Sequence, residues 1–446
     1  MGEQVFLPRS FFMRRPPDAR HAEPRQPAGG DRLRVFLSAG EPSGDHHAAA
    51  LLEAIRAIRP QAEFVGLGGP QLAAAGCSLV ADLTSLAVMW FLRVLLNIHR
   101  FVDLARRAER SFLDCPPDVL VMVDFPGFHW WLAWRARRHG IPVVFYCPPQ
   151  IWAWASWRSR KMRRLVDRVL AALPFEQEWF AARGIDSTLV GHPFFDELIA
   201  RQDSQAQAAE RAHRDSSLVL ILPGSRGQEI EANLGTLLEA AGKITAVCPQ
   251  ARPVIAALHA RHAQRIQQEL DRRGMSLPVA VGETRQLIGQ ATAAVAVSGS
   301  VSLELLAARV PTAIVYRVSG FAYVVQSWFR HARFITLVNL LAVEEPIGRA
   351  RGQWLPPGEV APADPEAVYP EYLCVQNPAA QLAGQVIGWL QDEPARQAVV
   401  ARLEQVAATV SHGGSAERAA LAVVEMAEAV ASLPHPQLRA DQFRAA

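Results

Sequence analysis

From Arg34 onward the chain alternates short apolar runs with longer amphipathic stretches. VFLS (Val35–Ser38), EFVGLGG, DVLVMVDF (Asp118–Phe125), IPVVFYC (Ile141–Cys147), DRVLAAL and STLVG are the apolar runs of the first half. Helical patterns separate them, from about His46 to Ile58, from Leu86 to Phe112, and over FEQEWFAARG. Strands alternating with helices at this spacing predict βαβ units and a parallel, doubly wound sheet. A polar patch, ARQDSQAQAAERAHRDSS, interrupts the alternation and marks a domain boundary. The alternation then restarts with LVLILPGSRGQEIEANLGTLLEAAGKI, and RPVIAAL, LPVAVG, AAVAVSGS and PTAIVYRV add strands, each followed by helical sequence.

The expected architecture is therefore α/β, with two Rossmann-like domains facing a central cleft. Residues 1–30, rich in Pro, Arg and Gly, read as a disordered arm. Residues 31–205 and 206–385 read as the two domains, and 386–446 as C-terminal helices and a tail. Ligands of such sheets bind outside the carboxyl ends of the strands, so the cleft is the expected active site. The one long irregular insert runs from Val343 to Tyr369.

Composition narrows the class. A chain of 446 residues, half of them hydrophobic and 20% charged, can bury a sizeable core in two domains. The start has no apolar run long enough for a secretory signal. The longest strongly apolar stretch, Leu86–Ile98, carries Arg93 and is too short to span a bilayer. Five scattered cysteines without a CxxC pair fit neither a disulfide framework nor a zinc ribbon, and suit a reducing compartment. A net charge of +3 gives no reason to expect nucleic acid. Of 46 basic residues only Lys161 and Lys243 are lysine, and six of eleven tryptophans fall between Trp130 and Trp157.

Three turns carry candidate chemistry. Gly40-Glu41-Pro42-Ser43-Gly44-Asp45 leads onto a helix N-terminus, a geometry that suits an anion or a polyhydroxylated ligand, or serves only as a tight βα turn. In Pro223-Gly224-Ser225-Arg226-Gly227, backbone amides, the Ser225 hydroxyl and the Arg226 guanidinium could converge on a diphosphate. Its counterpart is Ser298-Gly299-Ser300, with Glu304 one turn into the helix and able to accept both hydroxyls of a ribose. The pair reads as a nucleotide-diphosphate site or as two capped helices. Asp124 ends an apolar strand, where partial burial raises basicity; it reads as a general base or as a cap of the following helix. GxxxxGK[ST], HExxH, GxSxG and a DxD pair are missing, and the first turn is not GxGxxG.

SAGEPSGD, GLGGPQLAAAGC, LAVM, PPDVLVMVDFPGF, IWAW, LPFE, GHP, ILPGSRGQE, VSGSVSLE, YRVS and TLVNLLA occur in the order found in lipid-A-disaccharide synthases. The chain resembles that family from about Val35 to about Gln391. The resemblance implies a GT-B glycosyltransferase that transfers 2,3-diacylglucosamine from UDP-2,3-diacylglucosamine to 2,3-diacylglucosamine 1-phosphate. The bond made is β-1,6, with inversion and release of UDP, and no metal or other cofactor is expected. It also implies Asp124 as general base. Gly224, Ser225, Arg226, Ser298, Gly299, Ser300, Glu304, Arg317, Asn339 and Glu371 fall on the donor side, and Glu41, Ser43, Gly44, Asp45 and His192 on the acceptor side. Departures from the family pattern lie at Met89-Trp90-Phe91-Leu92-Arg93, at Pro126-Gly127-Phe128-His129 and at Val343-Glu344-Glu345-Pro346.

Acylated substrates require access to a bilayer surface. Val88, Met89, Trp90, Phe91, Leu92, Leu95 and Leu96 form an apolar patch. Arg100, Arg106, Arg107 and Arg110 follow, and a second basic run lies at Arg158–Arg164. Apolar anchor, tryptophans and basic residues together describe an interfacial surface; a buried helix beside a solvated basic face is the other reading. Expected partners are the two substrates, the phospholipid surface of the inner membrane on its cytoplasmic face, and a homodimer, with no nucleic acid. A UDP-sugar 2-epimerase of the same architecture, or a catalytically inactive nucleotide-sugar-binding relative, is the alternative.

Overall fold

In the computed structural model the residues described are 32–87, 98–202, 217–348, 360, 362–410 and 413–431. The apolar patch Val88–Leu96 and the expected arm at 1–30 lie outside them. The chain divides into two compact units. Of the described residues, those within 1–151, 155–196 and 413–446 make up the first, and those within 152–154 and 197–412 the second.

The first unit holds a seven-stranded, all-parallel sheet of β1 (Arg34–Ala39), β2 (Glu63–Gly68), β3 (Ser78–Asp82), β4 (Val119–Val123), β5 (Val143–Tyr146), β6 (Arg168–Ala171) and β7 (Ser187–Leu189). Their order is β3-β2-β1-β4-β5-β6-β7. The central strands β1, β4 and β5 are buried almost throughout, as strands covered by helices on both faces must be. Sequence patterning finds every strand here except β3, an edge strand whose residues are half-buried or exposed and which lacks a clean period.

The second unit repeats the plan with six parallel strands, β8 (Leu218–Leu222), β9 (Arg252–Ala257), β10 (Val279–Val281), β11 (Ala293–Val297), β12 (Thr312–Arg317) and β13 (Glu371–Cys374). Their order is β10-β9-β8-β11-β12-β13. The edge strand β13 is four residues long and follows the irregular insert, so periodicity does not disclose it.

In each sheet the order reverses between two central neighbours, β1 and β4 in one and β8 and β11 in the other. Ala39 pairs with Val123, and Leu222 with Ala296. The three candidate turns leave from the carboxyl ends of β1, β8 and β11, and Asp124 follows that of β4. They thus stand at the switch points where Rossmann-type sheets take their ligands.

The helix Ser415–Ala431, the last among the described residues, returns to the first unit. Its Ala419, Ala420, Val423, Val424 and Ala427 join the core formed by β1, β4 and the helix Pro42–Ile58. Asp196 anchors the start of this helix: its carboxylate accepts from the amides of Ser415 and Ala416, each at 3.0 Å, and from the Ser415 hydroxyl. A carboxylate there satisfies helix-end donors and favours the positive end of the dipole. Asp196→Ala should cost the first unit about 1–3 kcal/mol. In denaturant unfolding its transition should move to lower concentration; an unmoved transition would show that the cap contributes nothing.

Candidate functional site

The first unit's switch point is built around Asp124. Asp124 and Phe125 both lie in the left-handed region, at φ +54 and +49. Two consecutive non-glycine residues there are costly and are held only when their surroundings over-determine them. His129, one turn into the next helix and fully buried, supplies the restraint. Its Nδ1 lies 2.6 Å from the Asp124 carbonyl, and its Nε2 lies 2.9 Å from the Ser38 hydroxyl on β1.

A carbonyl can only accept, so Nδ1 carries the hydrogen and donates it, and the Ser38 hydroxyl donates to Nε2. Burial pushes the imidazole down to about 4, the hydrogen bond to Asp124 opposing, so the ring is neutral near pH 7. The His129 ring also meets Phe145 edge-on at a centroid distance of 5.9 Å. In the sequence His129 stands out only as a departure from the family pattern, because nothing local shows that it reaches Ser38.

The Asp124 carboxylate is half-buried. Burial raises its pKa, and the hydrogen bond from the Phe125 amide to Oδ1, 2.9 Å, pulls the other way. That bond makes Asp124 a cap of its own turn while leaving Oδ2 for other work. Across from it lies Gly44. A Cβ there would sit 3.5 Å from the Asp124 Cβ and 3.3 Å from the Val123 carbonyl. Gly40 is tighter still, since a Cβ would fall 2.3 Å from the Phe125 ring. The glycines of the first turn thus allow it to close on Asp124.

That turn is itself helical, because Pro42 opens the helix Pro42–Ile58. Glu41 and Ser43 are exposed and Gly44 is buried. Asp45 faces inward, where it accepts from the amides of Gly69 (2.6 Å), Gln71 (2.9 Å) and Leu72 (3.3 Å). Its carboxylate is spent on capping the helix Pro70–Ala74. His192 is half-buried, accepts from the Phe194 amide at 3.2 Å through Nδ1, and is pushed down to about 4 by burial.

At the second unit's switch point Gly224 has φ +107, and a Cβ there would fall 2.9 Å from the Glu229 side chain. The Ser225 and Arg226 amides both donate to Glu229 Oε2 at 3.2 Å, and Arg226 Nη1 donates to Oε1 at 2.9 Å. These are the amides expected from the sequence to meet a diphosphate; in the structure Glu229 satisfies them from within. The spacing from helix start to a Glu three residues on is the signal that identifies it. The Arg226 side chain stays 81% exposed, so the guanidinium rather than the amides is open to a ligand.

Ser298, Gly299 and Ser300 open the helix Val301–Ala308 at the end of β11. Glu304 lies 3.6 Å from Arg285, and burial raises its pKa against that arginine's pull. Arg317 ends β12, reaching Thr236 Oγ1 and the Val375 carbonyl at 3.4 Å each. It borders a cavity of about 770 Å³ also lined by Arg261, Arg265 and Arg273.

Asn339 and Glu371 do come together, but in the interior. The fully buried Asn339 amide exchanges two 2.8 Å hydrogen bonds with the Tyr369 backbone and donates to Glu371 Oε2 at 3.1 Å. Glu371 also accepts from the Ile335 amide and from the Thr336 amide and hydroxyl. As placed, these two side chains hold the segment 335–341 against β13.

The tryptophan cluster divides similarly. Trp130 and Trp152 are buried, Trp157 is 55% exposed, and Arg138 stacks over Trp134 at 4.7 Å.

Residues 35–350 match the family model described as lipid-A-disaccharide synthetase. The chain belongs to the lipid-A-disaccharide synthase family. The lipid-A-disaccharide synthase of Myxococcus xanthus is 33% identical over 395 residues, covering 88% of this chain and 97% of that one. That of Azotobacter vinelandii is 35% identical over 315 residues, 70% and 83% of the two chains. Solved structures show the fold. A UDP-GlcNAc 2-epimerase from Neisseria meningitidis superposes with TM-score 0.52 at 13% identity, covering 88% and 99% of the chains. The glycotransferase of kitacinnamycin does so with TM-score 0.52 at 13%, covering 89% and 99%. The architecture is thus GT-B, shared by epimerases and glycosyltransferases, and family membership makes this chain a glycosyltransferase of lipid A biosynthesis. The epimerase alternative falls with it.

The buried imidazole makes stability pH-dependent. The unfolded ring titrates at its ordinary value near 6.5 and the folded one near 4. Its contribution is therefore whole above 6.5 and drains away as pH falls toward 4. It amounts to on the order of 3 kcal/mol. His129→Ala also strands the Ser38 hydroxyl and the Asp124 carbonyl, so it should lower stability at pH 7 by about 3 kcal/mol or more. Thermal melts between pH 7.5 and 4.5 should fall less steeply in the variant than in the wild type. Parallel curves would refute the assignment.

Proposed function

We propose that the protein joins two acylated glucosamines by inverting transfer. The donor is UDP-2,3-diacylglucosamine, the acceptor is 2,3-diacylglucosamine 1-phosphate, and the products are the β-1,6 disaccharide 1-phosphate and UDP. Asp124 takes the proton of the acceptor's 6-hydroxyl while that oxygen attacks the anomeric carbon. The bond from that carbon to the diphosphate breaks in the same step, and both electrons leave with UDP.

The observation that carries this reading is the Asp124 carboxylate. It stands at the β1/β4 switch point with one oxygen steadied by the Phe125 amide and its basicity raised by burial. A base must lie within hydrogen-bond reach of the proton it removes, with a pKa high enough to hold it. The close approach of Gly44 supports the first turn as the acceptor's cradle.

Arg226, exposed at the head of a 21-residue helix, compensates charge on the departing diphosphate. No metal is needed in this scheme. The enzyme works at the cytoplasmic face of the inner membrane without crossing it; among the described residues no helix is long and apolar enough to span a bilayer.

Asp124→Asn should lower kcat about 10²–10⁴-fold while the dissociation constant for UDP stays within a few-fold. Because burial raises the carboxyl's pKa, the acid limb of the wild-type kcat profile should lie above the ordinary carboxylate range. A kcat close to wild type in the variant would remove Asp124 from the mechanism.

Arg226→Lys forfeits the planar fork and should weaken UDP binding as well as turnover. Activity should survive excess EDTA. Abolition by EDTA with recovery on adding magnesium would overturn the metal-free scheme.

A further inference from the structure

The helix Gly320–Phe329, between β12 and the segment 335–341, has the sequence GFAYVVQSWF and not one charged residue. Such a helix normally belongs in a core, yet Ala322 is its only buried residue. Phe321 is 76% exposed, Val324 50% and Trp328 75%. Positions 321, 324 and 328 are spaced three and four apart, so they share one face. The helix itself is well made: Ser319 caps it, its side chain accepting from the Ala322 amide at 3.2 Å. Exposed apolar faces of this kind mark a contact surface rather than a contribution to folding.

We infer that this helix is a lipid-contact element of the second unit, laid against an anionic phospholipid surface and separate from the apolar segment near Trp90. Charge favours that occupant. No Asp or Glu occurs between Glu304 and Glu344, while Arg309, Arg317, Arg330 and Arg333 do. Arg333 is engaged by Asp364 and Glu366, whereas Arg330, half-buried, directly follows the aromatic end of the helix. A cationic flank beside Phe and Trp on one face is the pattern of helices lying in a membrane interface. Area argues against a second copy of the chain. The exposed aromatic and valine surface comes to a few hundred Å², well short of the roughly 800 Å² each partner gives to a stable interface.

The inference does not depend on the sugar chemistry and is tested apart from it. Full-length protein is mixed with vesicles of phosphatidylglycerol and phosphatidylcholine, or of phosphatidylcholine alone, and bound protein is measured by sedimentation. Phe321→Ser/Val324→Ser/Trp328→Ser should weaken partition onto the anionic vesicles at least tenfold. Its melting temperature and UDP affinity should match the wild type, because these side chains are largely outside the core. Trp328→Phe, a milder change, should fold in any case and remove part of the tryptophan quenching by lipids brominated on their chains. Partition and quenching equal to wild type in both variants would overturn the proposal. So would a lipid-free wild-type dimer that the triple variant dissolves, for then a second copy covers the face.

Discussion

Parallel pairing is the constraint from which the rest follows. Every parallel neighbour must be reached by a crossover, and in each sheet the crossovers run outward from a central pair in opposite directions. Between β1 and β4, and between β8 and β11, the chain therefore leaves two adjacent strand ends toward opposite sides. Backbone groups there have no sheet neighbour and no helix already packed over them. The first unit fills its gap with Gly40, Gly44 and the left-handed pair Asp124–Phe125. The second fills its own with the PGSR turn and the SGS turn.

The two switch points solve the resulting problem of unsatisfied polar groups differently. In the first, a side chain from the helix interior reaches back: His129 bridges the Asp124 carbonyl to Ser38 on the neighbouring strand. A neutral ring does this with no charge to bury, which is why desolvation works in its favour. Left-handed non-glycine residues cost of order 1–3 kcal/mol each, and this bridge, with the Phe125 amide on the Asp124 carboxylate, offsets part of that. In the second switch point Glu229 reaches back instead, and its negative charge takes the place a bound anion would hold near the helix N-terminus. The first unit thus presents a basic carboxylate, and the second an exposed guanidinium.

Much of this plan is legible in the sequence because it rests on local patterns. Eleven of the thirteen strands among the described residues stand out as apolar runs, and the turns after β1, β8 and β11 are marked by Gly, Ser and Pro. What escapes is set by distant partners. The strand β3 and the strand β13 are edges whose identity depends on a neighbour rather than on a period. The return of the last helix depends on Asp196 meeting Ser415 across most of the second unit's sequence. Asp45 and Asn339 belong to motifs, and the motifs do not disclose that Asp45 accepts from the amides of Gly69, Gln71 and Leu72 or that Asn339 pairs with the Tyr369 backbone. A motif records that a residue type is required at a position; it does not record whether the requirement is chemistry or architecture.

That distinction bears most on the segment after β12. A chain of mostly apolar residues that packs only one of its first ten helical positions needs other means of holding its shape. It has them at both ends. Ser319 caps the start, and beyond the helix Arg333 is clasped by Asp364 and Glu366 while Thr336 and Asn339 bind Glu371. The Glu371 knot is fully hydrogen-bonded, the condition under which a buried polar group rigidifies a fold rather than weakening it. Apolar side chains on a loosely held loop would collapse onto the nearest core. Fixed between these anchors, Phe321, Val324 and Trp328 stay outward.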